Sequence, residues 1–262
     1  MRSADGTHIA YRRLGSGPAI VMVHGSIATH TAWMRVARLL CRQYTCYAMD
    51  RRGRSHSRGG ASPYSIEREY EDVCAVLDAA GPGASLAGHS FGAVCALGAA
   101  AMLAASPRPV RKLVLYEPPL TSGSLIAREP RIAYAQAIAD GDPDRALEIG
   151  LSKFTRRSAA DIAAMRATKA WSRLRRLAAS WVREMDAINA LPRSFEHYGA
   201  IASPTLMLTG SLNLDHPLQG VWRALAQVLP DVRVELLTGQ GHWALREASE
   251  MAARAIADFL AA

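Results

Sequence analysis

The stretch of this chain best suited to covalent chemistry is Gly88-His89-Ser90-Phe91-Gly92. It fits the pattern G-x-S-x-G and stands between a short apolar run, Ala84–Gly88, and a helical one, Phe91–Ala105. A sharp strand-to-helix turn at this point would strain the backbone of Ser90 and lift its hydroxyl clear of the sheet. Side chains at 88 and 92 would strike neighbouring backbone, which accounts for glycine at both. The helix N-terminus beneath the serine favours developing negative charge. Five-residue matches also arise by chance, so the surrounding elements carry much of the weight.

A serine hydroxyl is a poor nucleophile at neutral pH and needs a base. The histidines are His8, His24, His30, His56, His89, His197, His216 and His242. Most lone histidines are structural or merely exposed. His242 differs in its place: it follows an apolar run and the small segment Gly239-Gln240-Gly241, and it precedes the last helical pattern. That order, with Ser90 first and the histidine on a late loop, puts both at one rim of a sheet.

The elements that must bring them together are legible as strands alternating with helices. Strand-like runs are Thr7–Arg13, Ala19–His24, Thr45–Asp50, Ala84–Gly88, Arg111–Glu117, Thr205–Thr209 and Val232–Leu237. Helical spacing covers Ala32–Gln43, Ser65–Ala80 with Ser65 as N-cap, Phe91–Ala105, residues 218–229 and Ala248–Ala261. Such alternation predicts a mainly parallel sheet covered on both faces. Residues 118–202 break the rhythm with four helical patterns, 124–139, 143–152, 159–169 and 171–189, and no convincing strand. The organisation is therefore a core of 1–117 and 203–262 with a helical insertion, 118–202, between its parts.

Composition narrows the classes. Of 262 residues, 50% are hydrophobic and 21% charged, which suits a globular protein and argues against disorder. The net charge, 31 − 23 = +8, is best read as arginine-rich solvated helices, since no nucleic-acid-binding motif accompanies it. Cys41, Cys46, Cys74 and Cys95 lack C-x-x-C spacing and neighbouring histidines, so no metal site is expected and a reducing, cytoplasmic setting fits. No run is long enough to span a bilayer, and no membrane partner is expected. Oligomeric state leaves no trace in the sequence.

Taken together, His24-Gly25, Asp50-Arg51-Arg52-Gly53-Arg54-Ser55, Gly88-His89-Ser90-Phe91-Gly92 and Gly239-Gln240-Gly241-His242 follow in an order and spacing that resembles the α/β-hydrolase superfamily over essentially the whole chain. The similar members are esterases, perhydrolases and ring-cleavage-product hydrolases with a helical cap. The resemblance implies an eight-stranded, mostly parallel sheet, with the cap inserted between strands six and seven. It implies an oxyanion hole made by the backbone N–H groups of Ser26 and Phe91, loop-bracing roles for Asp50 and Arg52, and no cofactor. The substrate it implies is a small acyl compound.

The acid of such a site is ambiguous by the same resemblance. Relatives usually carry it three residues after the glycine that ends the strand following the cap, and here that residue is Asn213. Asn cannot hold an imidazolium as a carboxylate does. Asp215 lies two residues further on, where it could equally cap the next helix. The other placement in the superfamily is the end of the preceding strand, where Glu117 stands. Glu117 is the preferred acid and Asp215 the alternative. Trp33, Trp171, Trp181, Met185 and Trp243 are candidates to line a pocket, although each residue type is more often core. Arg156, Arg157, Arg173, Arg175 and Arg176 could attract an anion, or could form a solvated helix face. The expected reaction is ester or related acyl cleavage through an acyl-enzyme. The same elbow also serves carbon–carbon hydrolysis, thioester release or cyclisation, and perhydrolysis. A non-catalytic ligand receptor is the remaining alternative, favoured only by Asn213.

Overall fold

The computed structural model describes residues 1–58, 63–120, 128–213 and 220–262. The strands are β1 (Tyr11–Leu14), β2 (Ala19–Val23), β3 (Thr45–Met49), β4 (Ser85–His89), β5 (Leu113–Tyr116), β6 (Thr205–Gly210) and β7 (Val232–Leu237). They form one sheet in the order β1-β3-β2-β4-β5-β6-β7, with only β1 antiparallel to its neighbour. Strands β2 to β6 are buried along nearly their whole length because both faces are covered.

Two expectations are corrected among the described residues. The sheet has seven strands, where eight were implied, and the helical insertion falls between the fifth and sixth. The chain ahead of β1 makes only isolated bridges, Arg2 with His8 and His8 with Arg58, in place of a further strand.

Contacts divide the chain into two units, one of 1–25, 29–122 and 192–262, the other of 26–28 and 123–191. In the first, α1 (Met34–Leu40) and α10 (Ser249–Ala261) pack over Ile20, Met22, Cys46, Ala48, Val114, Leu206 and Leu208. The alternate strand residues face away from these, where α2 (Ile66–Ala80) and α3 (Phe91–Leu103) pack against each other and the sheet. Ser65 caps α2 by accepting from Arg68 N–H. Trp33 is wholly buried in the same cluster as the α1 and α10 residues, so it belongs to the core.

The second unit is a helical cluster of α4 (Arg128–Ala139), α5 (Pro143–Lys153), α6 (Ala159–Arg166) and α7 (Lys169–Ala190). Its centre is an aromatic group: Trp181 packs edge-on to Tyr134 and Phe154, with centroids 5.5 and 5.2 Å apart. Trp171 is buried and its Nε1 donates to Asp144 Oδ1 at 2.6 Å, and Met185 is buried on the same helix. Trp171 and Trp181 thus make these contacts within their own unit. Arg175, half exposed, pairs with Asp144 at 3.3 Å, which favours the solvated-face reading for that arginine, whereas Arg157, paired with Asp161 at 3.8 Å, is mostly buried.

The loop after β3 is braced by buried ion pairs. Arg51 makes two hydrogen bonds to Glu69 of α2, at 3.1 and 2.8 Å, and Arg52 does the same with Asp72 at 2.7 and 2.8 Å. Asp50 Oδ1 accepts from both His30 N–H and His30 Nδ1. The Arg51 and Glu69 side chains are 0% and 1% exposed, so removing one partner strands a charge away from water. Glu69→Leu is expected to cost about 3–5 kcal/mol, read as a lowered midpoint of denaturant unfolding. A midpoint within error of the parent would contradict that reading of the pair.

Candidate active site

Ser90 sits between β4 and α3 with φ 54° and ψ −127°, outside the regions that L side chains favour. Such strain persists only where the surroundings impose it. A β-carbon on Gly88 would collide with the Gly92 carbonyl, and one on Gly92 with the carbonyls of Val23 and His24. The tight turn from β4 into α3 thus requires Gly88, and the close approach of β2 to the start of α3 requires Gly92. A β-carbon on Gly25 would lie 2.9 Å from Ser90 Cβ and 3.4 Å from its Oγ, so the end of β2 runs directly beside the serine.

Three adjacent strand ends supply the other groups. In register, His89 of β4 is level with Tyr116 of β5, and Tyr116 with Leu208 of β6. Glu117, one residue past β5, has φ 46° and is anchored by its own N–H to Leu208 O at 3.1 Å. Its Oε2 lies 2.6 Å from His242 Nδ1. Its Oε1 accepts from Gly210 N–H at 2.8 Å, and Asn213 Nδ2 reaches both oxygens at 3.0 Å. Burial opposes ionisation of this carboxyl, but His242, Gly210 N–H and the Asn213 amide outweigh it and hold the group at about 2. Asp215 falls outside the described residues.

His242 faces Glu117 through Nδ1, which leaves Nε2 for a reacting group. No hydrogen bond within 3.5 Å joins His242 Nε2 to Ser90 Oγ. Such contacts are often long in ligand-free sites and tighten on binding. The His242 backbone is pinned from two strand ends. His89 Nε2 lies 2.9 Å from His242 O, and Tyr116 OH donates to Gly241 O. Burial, then the nearby His242 charge, pushes the His89 imidazole down to about 3. At neutral pH that ring is uncharged, and its proton belongs on Nε2, facing the carbonyl. The rings of His89 and His242 lie 4.6 Å apart. Trp243 follows, half-buried beside His242.

Sequence reading named His24, Arg51, His89 and Asn213 but foresaw none of their contacts here. His24 Nδ1 and Arg51 Nη1 both donate to Gly25 O, at 2.8 and 3.2 Å, and Arg51 N–H donates to His24 Nε2 at 3.1 Å. The Arg51 guanidinium also lies 4.3 Å over the Phe91 ring. These contacts fix the peptide that ends in the N–H of Ser26. Phe91 opens α3, where backbone N–H groups have no partner within the helix.

Comparison with known proteins fits this arrangement. Residues 20–255 match the model of the alpha/beta hydrolase family. The chain belongs to that family. It is similar to an alpha/beta hydrolase of Sphaerobacter thermophilus, at 29% identity, 99% coverage of both chains and a TM-score of 0.83. An esterase of Exiguobacterium antarcticum shares the fold, at 18% identity, a TM-score of 0.82, and coverage of 100% of this chain and 98% of that one. Among curated relatives, the N-formylmaleamate deformylase of Pseudomonas putida is 34% identical over 122 residues, 45% of this chain and 44% of that protein. The chain's matches span between about a quarter and under a half of the lengths of the curated relatives. No helix among the described residues is long and apolar enough to cross a membrane.

The Asn213 contacts carry a testable expectation. Hydrogen bonds to a charged group are worth roughly 1.5–3 kcal/mol, so Asn213→Ala is expected to lower kcat/KM by about tenfold or more. The acid limb of the pH–rate profile should move up, because Glu117 loses a stabiliser of its charge. An unchanged profile would detach Asn213 from the site.

Proposed function

We propose that this protein is a serine hydrolase that cleaves an ester or related acyl bond of a small organic substrate through an acyl-enzyme. The observation that carries the reading is the 2.6 Å contact between Glu117 and His242 Nδ1, at the same rim as a strained Ser90. Glu117 holds the imidazole in the tautomer whose Nε2 is free to accept a proton. Ser90 Oγ attacks the carbonyl carbon and its proton passes to His242 Nε2. The backbone N–H groups of Ser26 and Phe91 receive the oxyanion, each worth roughly 3 kcal/mol in comparable sites. His242 returns the proton to the leaving group, then activates the water that frees the enzyme. None of these steps calls on a metal or cofactor. We assign substrate selection to the helical segment 118–202, on its resemblance to the inserted caps of relatives.

A fluorophosphonate probe tests the reading, because only an activated serine labels quickly. Peptide mapping should find the label on Ser90. Labelling elsewhere, or none on the timescale of minutes, would overturn the assignment. The similarity to a deformylase favours a second reading, in which the acyl group removed is a formyl group. Formamides turned over in preference to simple esters would select it.

A further inference from the structure

Strand β7 ends the sheet. It pairs with β6 along its whole length, and no strand among the described residues pairs with its other side. Thr205 is level with Val232, and Thr205 N–H donates to Asp231 O at 2.9 Å. Residues 231, 233 and 235 therefore aim their backbone groups at β6. By the alternation of a strand, Val232, Val234 and Leu236 aim theirs outward. Val234 and Leu236 are also 39% and 44% exposed, so large apolar side chains flank an open row of backbone donors and acceptors. Such an edge is a template for another strand.

The residues around Val234 identify which strand. Val232, Arg233, Val234, Glu235 and Leu236 read alike from either end, with the charges exchanged. We propose that β7 is a self-association edge, on which a second copy of this chain pairs antiparallel about a two-fold axis at Val234. Val234 then faces its own counterpart, and Val232 faces Leu236 of the second copy, as hydrogen-bonded pairs. Arg233 faces Glu235 of the second copy in the non-hydrogen-bonded pairs, where side chains stand closest. Opposite charges attract there and like charges repel. Within one copy Arg233 Nη2 already donates to Glu235 Oε2 at 2.7 Å, so two copies assemble four charges of alternating sign. Centring the axis on residue 233 sets Arg against Arg, and centring it on 235 sets Glu against Glu. Of the registers centred on 233, 234 and 235, the one at Val234 alone sets opposite charges face to face.

Sedimentation velocity of the full chain across the micromolar range tests the proposal. The parent is expected to pass from monomer to dimer with concentration. Arg233→Glu, which sets like charges across the axis, should weaken the dimer by at least about tenfold. Arg233→Glu with Glu235→Arg restores opposite pairing and should recover it. At concentrations low enough to keep all three monomeric, thermal melting should be alike, since neither side chain is in the core. Amide exchange at 232, 234 and 236 should slow as dimer forms in the parent. A parent that stays monomeric throughout overturns the proposal. So does a dimer indifferent to Arg233→Glu, or one that the exchanged pair fails to restore.

Discussion

Ser90→Ala should reduce hydrolysis of p-nitrophenyl acetate to the background of buffer while leaving the fold intact. The substitution removes one oxygen at a site whose backbone is held by its neighbours: Ser90 N–H donates to Tyr116 O at 2.9 Å, and Ser90 O accepts from Ala93 and Val94. None of these bonds uses the hydroxyl. Alanine at φ 54° is as strained as serine, so circular dichroism and the melting temperature should scarcely move. The rate lost is the whole covalent route. In a comparable serine hydrolase that loss is about 10⁶-fold in kcat, with a residue of catalysis from oxyanion donors and binding alone. Turnover at more than a few per cent of the parent rate would mean that another group attacks the substrate.

Glu117→Gln should lower kcat by up to about 10⁴-fold, the scale set by the corresponding change in a serine protease. Gln keeps the size of the side chain and an oxygen to accept from Gly210 N–H, but it offers His242 an amide in place of a charge. An N–H placed against Nδ1 selects the tautomer with the proton on Nε2, and a protonated Nε2 cannot act as base. Asp215→Asn should retain most of the activity. If the two results were exchanged, the acid would be Asp215.

The same variant has a signature in stability. Glu117 titrates at about 2 in the folded chain against 4.5 ordinarily. Its folded value is depressed, so ionised Glu117 stabilises the fold above about pH 4.5, and this contribution is lost as pH falls towards 2. The shift corresponds to about 3 kcal/mol at most. Denaturation series between pH 5 and 2 should therefore be steeper for the parent than for Glu117→Gln. Equal slopes would mean that the carboxylate gains nothing from its surroundings in the fold.

The boundary between what was legible and what was not follows sequence distance. Strands β2 and β5 are recognisable because parallel strands buried on both faces become short unbroken apolar runs. The turn at Ser90 is recognisable because its two glycines answer to backbone collisions that no other residue escapes. The edge of the sheet was less legible: Thr7–Arg13 alternates in a way that suits a strand, yet the paired strand begins only at Tyr11, and His8 makes isolated bridges. Whether such a segment pairs depends on a partner edge, which local pattern does not report. Tryptophans 33, 171 and 181 were equally ambiguous, because a large apolar residue suits a pocket wall and a core alike, and packing put them in cores.

The sequence by itself determined the architecture, the strained serine turn, and a late histidine at the same rim, since each follows from short-range pattern or from chain order. It left the carboxylate open between Glu117 and Asp215, and it recorded Asn213 only as a missing acid. Tertiary structure alone brings Glu117 to His242 across 125 residues, and turns Asn213 into a donor to both oxygens of that carboxylate. The reason is that hydrogen bonds between strand ends depend on register and on loop course to within about half an ångström. Nothing in the spacing of residues along a chain encodes distances that small.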